Sequence, residues 1–165
     1  MREKLQFIRL PIVLFVIFFL GRLAIGAISG VNKQSYDLAN RLFSMVILEV
    51  HVGLLWGAVG KRYRNYGVGG SIAAVVLAVV VSQILIFAGT AFSYLAGIHT
   101  LFNYPEALNQ SAAVPFGMAM ALRTGSFIAN CVIGAIAGAI GWALGGLVPP
   151  SLTLTRSERS GLIYR

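Results

Sequence analysis

Four ionisable side chains lie in or beside long apolar stretches: Arg22, Glu49, His51 and Arg123. A charge in hydrocarbon is costly, so such groups mark either a specific pairing or a site. Arg22 lies six residues before Ile28, the end of the first stretch, roughly 9 Å deep at the helical rise. Glu49 is the eighth residue from Leu42, where the second stretch begins, roughly 12 Å deep. Similar depth on neighbouring stretches predicts an Arg22–Glu49 ion pair. As chemistry, the pair is a substrate or proton site. As architecture, it is an interhelical clamp in which each charge neutralises the other, and this second reading asks less of the residues.

Arg123 stands just ahead of the apolar part of the fourth stretch. It is expected at the interface, snorkelling outward. The alternative puts it beside Arg22 and Glu49, where two arginines around one glutamate would leave a positive cavity suited to an anion. His51 is two residues from Glu49, about 200° around a helix, so the two cannot form a dyad. A single-histidine tetrapyrrole site, holding haem iron or chlorophyll magnesium beside Trp56, is one reading of His51. A hydrogen bond to a neighbouring helix is the simpler one. No other cofactor and no metal centre is predicted. Cys131 is the single cysteine, which excludes disulfide scaffolds and paired-cysteine sites.

The elements that must carry these groups follow from composition. The chain has 165 residues, 58% hydrophobic and 11% charged, against about 25% charged for a soluble domain. Four apolar stretches, about 7–28, 42–60, 68–97 and 126–148, each approach the roughly 20 residues that a helix needs to span a bilayer. They lack the alternation of barrel strands. The expectation is an all-α integral membrane protein, a single transmembrane domain over 1–165 built as a four-helix bundle. The first stretch resembles a signal peptide in its basic start, but its length and the Arg22 interruption argue for an uncleaved span.

Lys and Arg set the orientation. Arg2, Lys4 and Arg9 precede the first span, Lys61, Arg62 and Arg64 form a basic loop between spans two and three, and Arg156, Arg159 and Arg165 lie in the tail 151–165. The long 98–121 connection has neither residue. By the positive-inside rule both termini are cytoplasmic, most simply in a bacterial inner membrane. Asn103-Tyr104-Pro105-Glu106 predicts a short helix with Asn103 as its cap, Pro115 a lead-in to span four, and Pro149-Pro150 its end.

Small and polar residues suggest how the spans pack. Gly134, Gly138, Gly141 and Gly145 form two GxxxG steps on one face of span four, with Ser126 and Asn130 above them. Gly53 and Gly57 give span two a matching face, so these two spans are candidate partners. Gln83 in span three is expected to hydrogen-bond another helix. Arg22, Glu49, Gln83, Thr90 and Asn130 are expected to converge around one axis, either as a site or as a self-satisfying core.

No nucleotide-binding loop, metalloprotease helix or nucleophile elbow is present, and the loops are too short for a catalytic domain. The basic loop reads as a topology signal that meets lipid headgroups, with no platform for nucleic acid. The expectation is therefore non-catalytic. The leading reading is an accessory subunit of a larger membrane complex, in contact with lipid and with other subunits or further copies of itself. The first alternative is a small transporter or channel around Arg22 and Glu49, and the second is a tetrapyrrole-binding subunit.

Overall fold

The computed structural model describes residues 6–147, and these residues are helical with no strand. The helices are α1 (Arg9–Ser29), α2 (Lys33–Leu42), α3 (Met45–Arg64), α4 (Val68–Leu95) and α5 (Phe116–Gly145), with a 3-10 turn at Pro105–Leu108. The four segments Arg9–Ser29, Lys33–Arg64, Val68–Leu95 and Phe116–Gly145 are long and apolar enough to cross a membrane. Many large apolar side chains point outward, among them Val13, Ile47, Ile84, Phe92, Ile128 and Ile136. In water that surface would be a liability; against lipid it is the expected exterior.

The helices run up and down. The upper end carries the two long connections, 30–44 and 96–115, and the lower end carries the short 65–67 turn. α3 packs most extensively on α5, and α4 packs on both. α1 leans on α4 from the other side and barely meets α5. The α3–α5 approach is close because glycines face each other. A Cβ at Gly57 would come within 2.9 Å of the Trp142 amide nitrogen and 3.1 Å of Gly141 Cα, and one at Gly145 within 2.8 Å of Ala58 Cα. Gly134 and Gly138 instead face Val79 and Val75 of α4.

Several boundaries differ from the sequence reading. The polar 30–40 segment is itself a helix, α2, capped by Asn32, whose Oδ1 accepts from Ser35 N at 2.9 Å. A break at Phe43-Ser44 separates it from α3, where Ser44 Oγ accepts from Ile47 N at 3.4 Å. α3 runs on to Arg64, so Lys61, Arg62 and Arg64 belong to its last turn and the basic loop is helical. Asn65 then ends the helix in the left-handed region at φ 56°, and Tyr66 N returns to Gly60 O at 3.0 Å, a familiar helix stop. α5 begins right after Pro115, as the expected lead-in to span four, ten residues ahead of the apolar run that starts at Ser126. Asn103 does not cap the 3-10 turn; its Oδ1 accepts from Thr100 N and its Nδ2 donates to Ile98 O, and Tyr104 takes the cap position. Arg2, Lys4, Pro149-Pro150 and the 151–165 tail lie outside the described residues.

The upper connection folds back into the bundle. Leu101, Phe102 and Leu108 are buried, and the Phe102 ring stacks on Phe19 with centroids 4.8 Å apart. Gly89 of α4 makes room for both rings: a Cβ there would stand 2.9 Å from Phe19 and 3.1 Å from Phe102. This fixes the Phe102 backbone beside α4, which matters for the site.

Candidate polar site at the upper end of the bundle

Arg22 reaches the site from α1, where it is 7% exposed. Its Nη1 donates to Asn40 Oδ1 of α2 at 2.7 Å. Its guanidinium carbon stands 5.8 Å from the ring centres of both Tyr36 and Phe102, within cation–π range. Tyr36 and Asn40 are four residues apart on α2 and so share a face. The Tyr36 hydroxyl donates to the Glu106 carbonyl at 3.1 Å, tying α2 to the 3-10 turn.

Arg123 comes from the opposite side, on α5. Its Nε donates to Thr90 Oγ1 at 3.0 Å and its Nη2 to the Phe102 carbonyl at 2.7 Å. Thr90 is fully buried, and its hydroxyl donates to Ile86 O at 2.9 Å. The outward-snorkelling expectation for Arg123 is therefore corrected. The side chain turns inward because the Phe102 carbonyl and the Thr90 hydroxyl lie within reach, while the lead-in 116–122 puts the helix start ahead of it.

Arg22 and Arg123 line one cavity of about 120 Å³, together with Tyr36, Asn40, Ser44, Met45, Val46, Ile86, Phe102 and Ala107. No aspartate or glutamate lines it. Among the described residues no carboxylate comes within 4.0 Å of either guanidinium. The expected Arg22–Glu49 ion pair does not form. Glu49 is 1% exposed and turns to α4, where its Oε1 accepts from Gln83 Nε2 at 2.6 Å. It sits one turn beyond Met45, which lines the cavity, while Arg22 bonds Asn40 of α2 instead. Matching depth placed the two charges at one level; the helix faces sent them to different partners.

The remaining sequence candidates divide in the same way. Gln83 makes the interhelical bond expected of it, to Glu49. Ser82, its neighbour, is buried beside the Glu49 carboxyl. Asn130 is half-buried and does not join the others. Thus the expected convergence on one axis resolves into a two-arginine cavity with Thr90, and a separate Glu49–Gln83 pair below it. His51 is exposed and its Nδ1 bonds to Ile47 O of its own helix at 2.8 Å. At the lower end Lys61 Nζ lies 3.8 Å from the Trp142 ring centre, and the Arg64 guanidinium lies 5.8 Å from that of Phe7. Gly53, Gly57, Gly141 and Gly145 hold α3 against α5, Gly134 and Gly138 hold α5 against α4, and none of them lines the cavity.

Asn40, Ser44, Tyr36 and Phe102 are site residues that the sequence reading passed over. The signals were local: Asn32 as a helix cap, the four-residue spacing of Tyr36 and Asn40, and Ser44 directly before an apolar run. Phe102 contributes a backbone carbonyl, for which side-chain type gives no signal. Compared with protein-family models, with curated proteins and with solved structures, the chain matches none of them.

Proposed function

We propose that this chain is an integral membrane protein that takes up a small anion at the upper end of its helix bundle, as the binding step of a small transporter or channel. One observation carries the reading: two inward-turned arginines line a single cavity to which no carboxylate contributes. Arginine stays protonated in proteins, and two unneutralised guanidiniums in a low-dielectric cavity attract an anion strongly. Without an Arg22–Glu49 pair, no carboxylate among the described residues neutralises Arg22, which supports the anion-site reading. Orientation follows from the basic residues: Lys61, Arg62 and Arg64 at the lower end face the cytoplasm of a bacterial cell, and the cavity faces outside. The reading assigns no catalytic residue and needs no resident cofactor.

The accessory-subunit reading rests on outward apolar and small-residue faces, which lipid and the α3–α5 contact already account for. The tetrapyrrole reading rests on His51 alone, an exposed side chain outside the two-arginine cavity, whose Nδ1–Ile47 O bond leaves Nε2 free as a ligand. The test is anion flux into proteoliposomes containing the full chain, with chloride, acetate, phosphate and sulfate as solutes. At least one should pass at a rate that falls tenfold or more in both Arg22→Gln and Arg123→Gln and survives in Glu49→Gln. Equal rates in the wild type and both arginine variants would overturn the reading.

A further inference from the structure

We infer that the ligand of the two-arginine cavity is a doubly charged tetrahedral oxyanion, a phosphate or sulfate group. The inference rests on the anion-site reading above and narrows its ligand. Two features of the cavity carry it, one of charge and one of donor geometry.

The charge is two guanidiniums with no acid beside them. A monovalent ion would leave one positive charge uncompensated where water is scarce; a dianion balances both. The start of α3 adds to the same sign. Ser44, Met45 and Val46 line the cavity, and the first helical bond of α3 is the one from Leu48 N to Ser44 O, 3.0 Å. The Met45 and Val46 amides precede that bond and have no helical acceptor, and the positive end of a 20-residue helix faces the space.

The donors are spread around the cavity wall, and several are free. Arg22 spends Nη1 on Asn40, and Arg123 spends Nε and Nη2 on Thr90 and Phe102. That leaves further guanidinium N–H groups on both arginines, with Asn40, whose amide also carries N–H donors, in the same lining. Oxygens at tetrahedral corners can meet donors from α1, α2, α3 and α5 at once, and guanidinium forks suit oxyanions. A halide presents one centre, and a carboxylate presents two oxygens in one plane. A volume of about 120 Å³ takes one such group with a few waters. Val46, 44% exposed, lies at the rim on the lipid-facing side, so the group can be free in solution or the headgroup of a phosphomonoester lipid.

The experiment is calorimetric titration of the full chain in neutral detergent with sodium phosphate, sulfate, acetate and chloride at equal ionic strength. A parallel arm uses nanodiscs of phosphatidylcholine with and without phosphatidic acid, scored by thermal unfolding. The expected result is that phosphate and sulfate bind at least tenfold more tightly than acetate and chloride, with Arg22→Lys and Arg123→Lys each weakening them tenfold or more. Stabilisation by phosphatidic acid that Arg22→Lys abolishes, with no response to free phosphate, supports the same chemistry and identifies the lipid as its source. Acetate or chloride binding as tightly as phosphate, with the same arginine dependence, would overturn the oxyanion assignment and leave the anion site standing. If no anion in either arm separates wild type from the arginine variants, both readings fall. The wild-type selectivity series is decisive even if a variant fails to fold.

Discussion

Arg22→Met separates a binding site from a structural clamp by the sign of its effect on stability. In the anion-free protein the Arg22 guanidinium has one hydrogen bond, to Asn40, and two ring faces at 5.8 Å. The charged hydrogen bond contributes about 1.5–3 kcal/mol and each ring about 0.5–1 kcal/mol. Opposing them is the desolvation of a guanidinium that is 7% exposed, a cost of several kcal/mol even after relaxation. Arg123 in the same cavity adds repulsion. Methionine keeps the apolar stem and fills the gap flexibly. The variant should therefore match the anion-free wild type or exceed it by about 1–2 kcal/mol.

The ligand reverses that order. At one hundred times Kd a bound anion adds about 2.7 kcal/mol to the wild type, and the variant should gain almost none of it. Mixed-micelle unfolding followed by the fluorescence of Trp56 and Trp142 reads both conditions in one preparation. A loss of about 3–5 kcal/mol in the anion-free variant, the cost of breaking a buried charge pair, would show that Arg22 is structural and refute the reasoning.

Glu49→Gln should fold with stability within about 1 kcal/mol of wild type, since the Gln83 amide can still donate to an oxygen at that position. Gln83→Leu removes one of the two polar neighbours of the buried Glu49 carboxyl, leaving Ser82 beside it, and should cost about 1–2 kcal/mol in the same unfolding assay. Gly57→Ala forces a Cβ against the α5 backbone and should cost about 1–3 kcal/mol. Gly125→Ala, with nothing within 4 Å of the new Cβ, should stabilise by up to about 1 kcal/mol, so the two glycine variants differ in sign in one thermal melt. Thr90→Val removes the acceptor that orients Arg123 Nε; anion affinity should fall about tenfold, or 1.4 kcal/mol, by calorimetry.

The four long apolar helices were legible because a helix fit to cross hydrocarbon must be long and apolar, and four such stretches stand out among the described residues. The helix ends were legible in part: Pro115 marked the lead-in that starts α5 ahead of its apolar run. α2 escaped notice because its apolar positions are few; its order comes from the Asn32 cap and from the Tyr36 bond to Glu106 O. Those are contacts between distant segments, and sequence periodicity does not encode them.

The site shows the same division between depth and direction. Counting residues from a span's end fixes how deep a side chain lies, and on that measure Arg22 and Glu49 were matched. Which neighbour it meets depends on the rotation of each helix, and that is set by packing. The α3–α5 glycine contact draws α3 toward α5, and α4 packs against both; Glu49 then faces Gln83 across the α3–α4 contact. α1 stands on the far side of that pair, so Arg22 looks across the upper end toward α2 and the folded-back Phe102. Arg123 arrives at the same place from α5 because Phe102 offers it a carbonyl there. Two arginines far apart in sequence thus share a cavity through one phenylalanine, its ring beside one guanidinium and its carbonyl accepting from the other. A substitution that moves the Phe102 backbone, such as Gly89→Leu against the Phe19–Phe102 stack, should weaken anion binding in calorimetric titration although neither arginine is replaced, and unchanged affinity would refute that link.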